Sequence, residues 1–286
     1  MKRIIFVKAL IFLVAALALK SPGCEESPVQ KPIIPEFDYN WIEGGISPYR
    51  IAHIPTPEGY SRVKTKKGSF AEFLRFLPLK EKRGRVKLHN GMWKSNQDAH
   101  FRIIQIDTGG RDLQQCADAA MRLRAEFLYS QKRYEEIIFT FVNGFQADFS
   151  IWGRGRGISV RGNRVKWVDN PSNDLSYKSF RRFMVMVFSY ANTASLAKQI
   201  KKIKTEDLQI GDLFIQPGFP GHAVIVVDKA SKGKKIIFML AQSYMPAQDM
   251  HVLKSTFNIS PWYHLDFGES LLTPEWSFEK NTLYRF

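Results

Sequence analysis

Only two cysteines occur in this chain of 286 residues, and they limit how it can be stabilised. Cys24 lies near the N-terminus in a pattern that resembles a lipobox, and if it is acylated, Cys116 has no disulfide partner. The folded part must therefore be held by an apolar core, and a composition with 44% hydrophobic and 24% charged residues is that of an ordinary globular protein. Cys116 is then a lone thiol that requires a chemical or a packing explanation.

The N-terminus has the pattern of an export signal. Lys2, Arg3 and Lys8 precede an apolar run over residues 9–19, and Gly23-Cys24 follows shortly after. Eleven helical residues cover only about half of a ~30 Å hydrocarbon layer, so this run is too short to span a membrane. A small residue directly before a cysteine resembles a lipobox, in which the cysteine becomes the acylated first residue. Simple secretion is the alternative.

The pattern predicts a signal peptide over residues 1–23, a lipidated tether over 24–38 and a single domain over 39–286. The tether is polar and contains prolines, and no linker, internal repeat or low-complexity tract interrupts the rest. We expect an exported lipoprotein of the cell envelope, anchored to a membrane by its lipid and lying in the periplasm or at the outer membrane or cell surface.

The chain remains basic after the signal is removed. The first 23 residues contain four basic and no acidic residues, so the formal charge falls from +15 to +11. A basic envelope protein meets lipid headgroups and acidic polymers, although a solvated basic face is an equally good explanation. We expect no nucleic acid partner, because an exported chain rarely meets one.

Hydrophobic periodicity predicts a mixed α and β domain. Strands are expected near residues 60–63, 101–106, 137–142, 211–215, 222–228 and 235–242, with a hairpin over 158–168. Helices are expected over residues 69–77, from Asp112, over 177–191 and from Ser195. The C-terminal residues 260–286 are aromatic and look like loop that wraps a surface.

Three polar residues are candidates for one site. Asp112 is predicted to cap the helix that carries Cys116, so that the helix dipole stabilises a thiolate. His222 begins a strand, and a hairpin centred on Lys232 would place it opposite Gln242 or a neighbour. We expect Cys116, His222 and Gln242 to converge, which is the order of a nucleophile, a base and an orienting group.

Two motifs resemble the conserved core of NlpC-type peptidases, a branch of the papain-like superfamily. They are Gly211-Asp212-Leu213-Phe214 and Gly221-His222-Ala223-Val224-Ile225. The resemblance implies an α+β fold in which the helix bearing the cysteine packs on an antiparallel sheet, here with large insertions. It also implies that Cys116 is the nucleophile, His222 the base and Gln242 the group that orients the imidazole.

At the level of the whole sequence, the chain is similar to an uncharacterised bacterial envelope family, domain of unknown function 4846. The similarity extends over nearly everything after the tether. The segments that carry it are Asp112 to Ala120, Phe219 to Asp228, Ala241 to Gln248 and Thr273 to Trp276. This similarity implies a fold and an envelope setting without a known substrate.

Packing explanations remain open for each candidate. Cys116 lies on the apolar face of its helix, where cysteine is often a small core residue, and 105 residues separate it from His222. His251 competes with Gln242 as the orienting group. Weaker candidates for the substrate cleft are Ser243, Tyr244, His251 and Trp262. The histidine spacing does not fit a metal site, so we expect no metal and no cofactor.

Two hypotheses from different classes follow. The first is a cysteine amidase or peptidase that acts on the peptides of peptidoglycan or on a similar amide. The second is a non-catalytic envelope protein that binds a glycan or an anionic polymer in the same cleft. A reactive, accessible Cys116 favours the enzyme, and a sealed, inert thiol favours the binding protein.

The lipobox hypothesis predicts that the mature chain begins at an acylated Cys24. Cys24→Ala should abolish incorporation of radiolabelled palmitate, because the thiol that receives the lipid is removed. The measurement is autoradiography of the purified protein from labelled cells. Unchanged labelling, or a mature N-terminus at another residue, would show that the lipobox hypothesis is wrong.

Overall fold

A computed structural model of the protein describes residues 37–81 and 84–286. The predicted signal peptide, Cys24 and residues 24–36 of the predicted tether lie outside this part of the chain. Within residues 37–81 and 84–286, no helix is long and apolar enough to cross a membrane.

The described residues form a mixed α and β structure in which strands predominate. The helices are α1 (Phe70–Arg75), α2 (Cys116–Ser130), α3 (Phe149–Gly153), α4 (Tyr177–Tyr190) and α5 (Thr193–Gln199). The strands are β1 (Ser61–Arg62), β2 (His100–Ile103), β3 (Ile138–Thr140), β4 (Gln146–Asp148), β5 (Arg154–Arg161), β6 (Arg164–Asn173), β7 (Lys201–Lys202), β8 (Leu213–Gln216), β9 (His222–Lys232), β10 (Lys235–Gln242), β11 (His251–Leu253), β12 (Tyr263–His264), β13 (Ser270–Leu272), β14 (Ser277–Glu279) and β15 (Leu283–Arg285).

Nine of these strands form one antiparallel sheet. Its order is β2-β11-β10-β9-β8-β15-β7. In addition, β1 pairs with the C-terminal part of β9, and β12 pairs with the N-terminal part of β10. Three separate two-stranded ribbons pair β3 with β4, β5 with β6 and β13 with β14. The mixed α and β class expected from the sequence is therefore confirmed, and every strand pairing within the described residues is antiparallel.

The central strand β9 is buried on both of its faces. Ala223, Ile225 and Val227 belong to the core that α2 also enters, whereas Val224 and Val226 pack into a second core on the other side. Because side chains alternate along a strand, a strand covered on both sides needs apolar residues at nearly every position. The sequence His-Ala-Val-Ile-Val-Val-Asp meets this need except at its two ends.

The polar residue at the far end of that run, Asp228, is fully buried and paired with two arginines. Its carboxylate oxygens lie 2.7 Å from Nε of Arg75 and 2.6 Å from Nε of Arg62. The backbone N–H of Lys229 adds a third hydrogen bond at 2.8 Å. These contacts tie β9 to α1 and β1, because Arg75 ends the helix and Arg62 ends the strand.

The helix that carries Cys116 begins four residues later than the sequence pattern predicted. Asp112 does not cap it, because the Asp112 carboxylate accepts the backbone N–H of Ala247 at 2.7 Å and the side-chain amide of Gln115 at 3.0 Å. The N-cap residue is Gln115, whose backbone N–H donates to the carboxyl group of Asp118 in the first turn at 3.1 Å. Cys116 is therefore the first residue of α2, within the first turn as predicted, but at its beginning rather than its end.

The register of the β9–β10 hairpin also differs from the prediction. Lys232 pairs with Lys235, so the turn is centred beyond residue 232, and a bulge between Met239 and Leu240 shifts the pairing again. Gln242 pairs across the sheet with His251 of β11 rather than directly with His222. His222 and Gln242 still share a face of the sheet, and their side chains meet diagonally.

The C-terminal segment is more ordered than the expected loop. It contributes β12 and β15 to the main sheet and forms the β13–β14 ribbon. The strands in this segment have only two or three residues each. Such short runs show no clear alternation of apolar and polar residues, which explains why the sequence pattern did not reveal them.

Asp228→Ala should destabilise the fold by about 3–5 kcal/mol, because it leaves the buried guanidinium of Arg75 without its partner. Urea unfolding at neutral pH measures this change. Asp169→Ala is the matched control, since Asp169 also pairs with an arginine on a neighbouring strand but lies at the surface. The control should change the unfolding free energy by about 0–1 kcal/mol, and equal losses in the two variants would contradict the role assigned to Asp228.

Candidate functional site

Cys116 lies where the N-terminus of α2 meets the start of β9. The backbone N–H groups of Cys116 and Ala117 belong to the first turn of the helix and have no partner within it. Together with the N–H of Ala223 they face the sulfur and act to lower the pKa of the thiol. Ala223 directly follows His222, so the structure brings the cysteine next to the beginning of the histidine strand.

The effect of burial on the pKa of the Cys116 thiol is larger than the effect of these amides. Cys116 is only 6% exposed, and its removal from water raises the pKa of the thiol to about 11. The nearby carboxyl of Asp118 acts in the same direction. The pKa of Asp118 is itself raised well above its usual value by burial. The thiol is therefore neutral in the resting protein near pH 7.

His222 is fully buried at the start of β9, within a group of aromatic rings. Its imidazole lies 4.8 Å from the ring of Tyr244, 5.1 Å from Trp276 and 5.8 Å from Phe278, measured between ring centroids. Nε2 of His222 lies 2.8 Å from Oε1 of Gln242. Nδ1 is buried and has no hydrogen-bond partner among the residues that the structure describes.

The environment of His222 favours the neutral ring. Burial lowers the pKa of His222 to about 4, the hydrogen bond to Gln242 opposes the decrease, and the positive charge of Lys94 adds to it. A neutral imidazole carries one N–H, so one ring nitrogen keeps a free electron pair. Such a nitrogen can accept a proton from a neighbouring thiol.

Gln242 connects His222 to a buried polar network. Its amide nitrogen lies 2.9 Å from a carboxylate oxygen of Glu275 and 3.4 Å from Nε2 of His251. The same oxygen of Glu275 accepts from the ammonium of Lys94 at 2.5 Å. Glu275 and Lys94 were not identified from the sequence, although Glu275 lies within the Thr-Pro-Glu-Trp segment that carries the family similarity.

A cleft of about 200 Å³ reaches Cys116 from the surface. Its walls come from residues 112–118, residues 188–193, residues 218–221 and Met245. The ionisable carboxyl groups in this lining belong to Asp112 and Asp118, and the lining contains no lysine or arginine. His222 and Gln242 do not line this cleft, and larger cavities of about 500, 1190, 470 and 450 Å³ elsewhere on the domain are lined by neither Cys116 nor His222.

One wall of the cleft depends on a glycine. A Cβ atom built on Gly221 would lie 2.4 Å from the carbonyl oxygen of Gly218 and 2.5 Å from Oγ1 of Thr193. Any larger residue would force the two segments apart, so the close approach needs glycine at this position. Gly221 thus brings the start of α5 against the residue that precedes His222.

The weaker candidates for the cleft have other positions, and none of the four lines it. The Ser243 hydroxyl lies 3.0 Å from the carbonyl oxygen of Gln114, so it joins the end of β10 to the segment before α2. Tyr244 lies against His222, and His251 is part of the polar network. Trp262 is buried near the opposite end of β10 and donates its N–H to the carbonyl of Pro55 at 2.9 Å.

No group of three or more His, Cys, Asp or Glu side chains in the described chain could hold a metal ion. The buried histidines His222 and His251 contact Gln242, and His251 also contacts the carbonyl of Asp249. These partners are amide groups that complete hydrogen bonds rather than a set of metal ligands.

Comparison with known proteins identifies the family. The family model described as domain of unknown function (4846), DUF4846, matches residues 51–285. The chain belongs to the DUF4846 family. No curated protein and no solved structure gives a significant match to it. The matched region of the DUF4846 domain includes Cys116, His222, Gln242 and Glu275, so the whole candidate site lies within it.

The buried histidine makes the stability of the DUF4846 domain depend on pH. Between about pH 6.5 and pH 4 the unfolded chain binds a proton at His222 that the folded chain does not, so stability decreases as the pH falls. We expect His222→Phe to reduce the loss between about pH 7 and about pH 4.5 by roughly 2 kcal/mol in urea unfolding experiments. His264→Phe, a substitution of a partly exposed histidine, is the control. An unchanged pH dependence in His222→Phe would show that the ring is not held neutral.

Proposed function

We propose that this protein is a cysteine amidase or peptidase in which Cys116 is the nucleophile, His222 the base and Gln242 the group that orients the imidazole. The observation that carries the proposal is the bonding of His222. One ring nitrogen is held by Gln242, and the other is buried and has no partner among the described residues, while the next residue, Ala223, directs its backbone N–H at the sulfur of Cys116. A buried polar atom without a partner is uncommon unless it has a chemical role.

The proposed reaction begins with transfer of the thiol proton from Cys116 to Nδ1 of His222. The sulfur attacks the amide carbonyl carbon and forms a C–S bond, and the oxyanion is stabilised by the free N–H groups at the start of α2. His222 then gives its proton to the departing amine as the C–N bond breaks. Water, activated by the same imidazole, hydrolyses the thioester and restores the thiol.

The fold is consistent with a papain-like origin of the NlpC type. A helix that begins at the cysteine packs against an antiparallel sheet, the histidine begins the central strand, and an amide side chain from the next strand holds the ring. Cysteine, histidine and amide follow one another along the chain as they do in that superfamily. The insertion between Cys116 and His222 contains α3, α4, α5 and the β5–β6 ribbon.

The substrate class follows from the setting and from the cleft. The predicted signal peptide and lipid anchor at Cys24 would place the domain in the envelope, where the stem peptides of peptidoglycan are an abundant amide substrate. The cleft contributes acidic rather than basic side chains at Cys116, which suits a neutral or cationic peptide group better than an anionic polymer.

The resting site requires activation by the substrate. A thiol with a pKa near 11 and an imidazole with a pKa near 4 do not form an ion pair by themselves. Since burial is the main cause of both shifts, an amide carbonyl that enters the cleft must supply the polar surroundings in which the charged pair becomes stable. The thiol would then be unreactive toward small thiol reagents, and only hydrolysis of a substrate that fits the cleft would distinguish the enzyme from the binding protein.

A second candidate function is a non-catalytic envelope protein that binds peptide or glycan in this cleft. It is favoured by the same buried, high-pKa thiol, because a sealed cysteine behaves as a small core residue. In this case Cys116 would contribute only packing at the floor of the cleft.

Hydrolysis of muropeptides separates the two candidates. Cys116→Ser and His222→Ala should each lower amide release by roughly 10³-fold or more, because neither reacting group works without the other. Gln242→Ala should cause a smaller loss, since it affects only the orientation of the ring. The measurement is the appearance of new amines in peptidoglycan digests, analysed by mass spectrometry.

His264→Ala is the control for removal of an imidazole, and it should keep full activity because His264 lies on β12, away from the cleft. Far-UV circular dichroism of every variant shows whether the fold is retained. Wild-type protein that releases nothing, together with Cys116→Ala protein that binds muropeptides as tightly as wild type, would reject the hydrolase and favour the binding protein.

A further inference from the structure

We infer that Glu275 fixes the orientation of the Gln242 amide and, through it, holds His222 as the tautomer that carries its proton on Nε2. The two ends of an amide side chain have the same shape but opposite hydrogen-bonding character. Which end faces a neighbour therefore depends on the partners of both ends. In this network every partner can be assigned from the structure.

The first step concerns His251, which contacts the nitrogen end of Gln242. Nδ1 of His251 lies 2.8 Å from the carbonyl oxygen of Asp249. A carbonyl oxygen only accepts hydrogen bonds, so Nδ1 carries the proton of the neutral ring. Nε2 of His251 is then an acceptor, and it lies 3.4 Å from the Gln242 amide nitrogen. This contact is long and only weakly orients the amide.

The second step concerns Glu275, which provides the stronger contact. One of its oxygens lies 2.9 Å from the Gln242 amide nitrogen and 2.5 Å from the ammonium of Lys94. The other oxygen accepts from the side-chain amide of Asn96 at 3.1 Å. A carboxylate that faces Lys94 only accepts, so an inverted Gln242 would place its carbonyl oxygen against this carboxylate. That arrangement is repulsive in a buried site.

The third step transfers the orientation to His222. With its nitrogen end directed to Glu275 and His251, Gln242 presents Oε1 to Nε2 of His222 at 2.8 Å. Nε2 must then donate, so it carries the single proton of the neutral imidazole, and Nδ1 keeps the free electron pair. Glu275 is thus a positioning residue that acts on His222 through Gln242. Its importance for catalysis rests on the proposed function, but the tautomer does not.

The tautomer can be measured directly by ¹⁵N NMR of the folded protein with labelled histidine, near pH 7 and without substrate. In wild type we expect Nδ1 of His222 to have the shift of a nitrogen without a proton and Nε2 that of an N–H nitrogen. His222→Phe identifies the resonances of this residue by their loss. A wild-type spectrum with the proton on Nδ1 would overturn the inference.

Two variants test the part played by Glu275. Lys94→Met/Glu275→Met removes the acceptor and its buried cation together, which usually preserves the fold better than removal of one partner. Lys94→Arg keeps both a cation and the acceptor. We expect a mixture of both tautomers, seen as intermediate shifts, in the double variant and the wild-type tautomer in the single variant. Glu279→Gln, at an exposed carboxylate of β14, is the control and should have the wild-type spectrum.

An unchanged spectrum in the folded double variant would show that Glu275 does not set the tautomer. Muropeptide hydrolysis measured on the same samples keeps this result separate from the proposed function. Suppose that wild type has the inferred tautomer and the double variant shows a mixture, but wild type hydrolyses no muropeptide. This result would support the role of Glu275 and reject the hydrolase. Full hydrolysis by a double variant that shows mixed tautomers would overturn the positioning role of Glu275.

Discussion

The burial of β9 on both faces is the constraint on which the rest of the structure depends. A strand in this position can carry polar groups only where its buried run ends, and the buried run of β9 ends at His222 and Asp228. At one end two arginines neutralise the carboxylate of Asp228 and fix the strand to α1 and β1. At the other end an amide and three aromatic rings enclose the imidazole of His222. The ion pairs of Asp228 therefore anchor the strand at the end farther from Cys116, and the unpartnered nitrogen of His222 lies at the other end.

The candidate site combines an apolar enclosure with a connected set of hydrogen bonds. The hydrogen bonds run in one chain from Lys94 to Glu275, then to Gln242 and then to His222, and each group is a hydrogen-bond partner of the next. Such a chain is costly to bury unless it is complete, and it is complete except at Nδ1 of His222. Nδ1 of His222 is therefore a buried nitrogen without a partner among the described residues, on a strand whose next residue, Ala223, contacts the neutral thiol of Cys116. Both groups are shielded from solvent.

Much of the fold could be predicted from the sequence, because long periodic segments determine their own secondary structure. The predicted limits of β10 agree with the structure, and the hairpin turn at Arg161–Arg164 was found where expected. The exact start of the helix at Cys116 was not predicted. Asp112 is a residue type that often caps helices, but here its carboxylate accepts a hydrogen bond from the distant backbone N–H of Ala247. The register of β9 with β10 depends on a bulge, and no residue type in the sequence indicates where that bulge occurs.

The same distinction applies to the site. Cys116, His222 and Gln242 could be proposed from a helix start, a strand start and a hairpin, which are local patterns. Glu275 reaches Gln242 across 33 residues of sequence, and Lys94 reaches Glu275 across 181, so neither contact leaves a periodic signal.

The close packing at Gly221 has a mechanical consequence. Since Gly221 lies against Thr193, the first residue of α5, the helix and the start of β9 are in rigid contact at one wall of the cleft. A side chain at position 221 could be accommodated only if α5 moved away from the start of β9. The missing Cβ atom of one glycine therefore sets the spacing of this wall and, with it, the width of the entrance to Cys116.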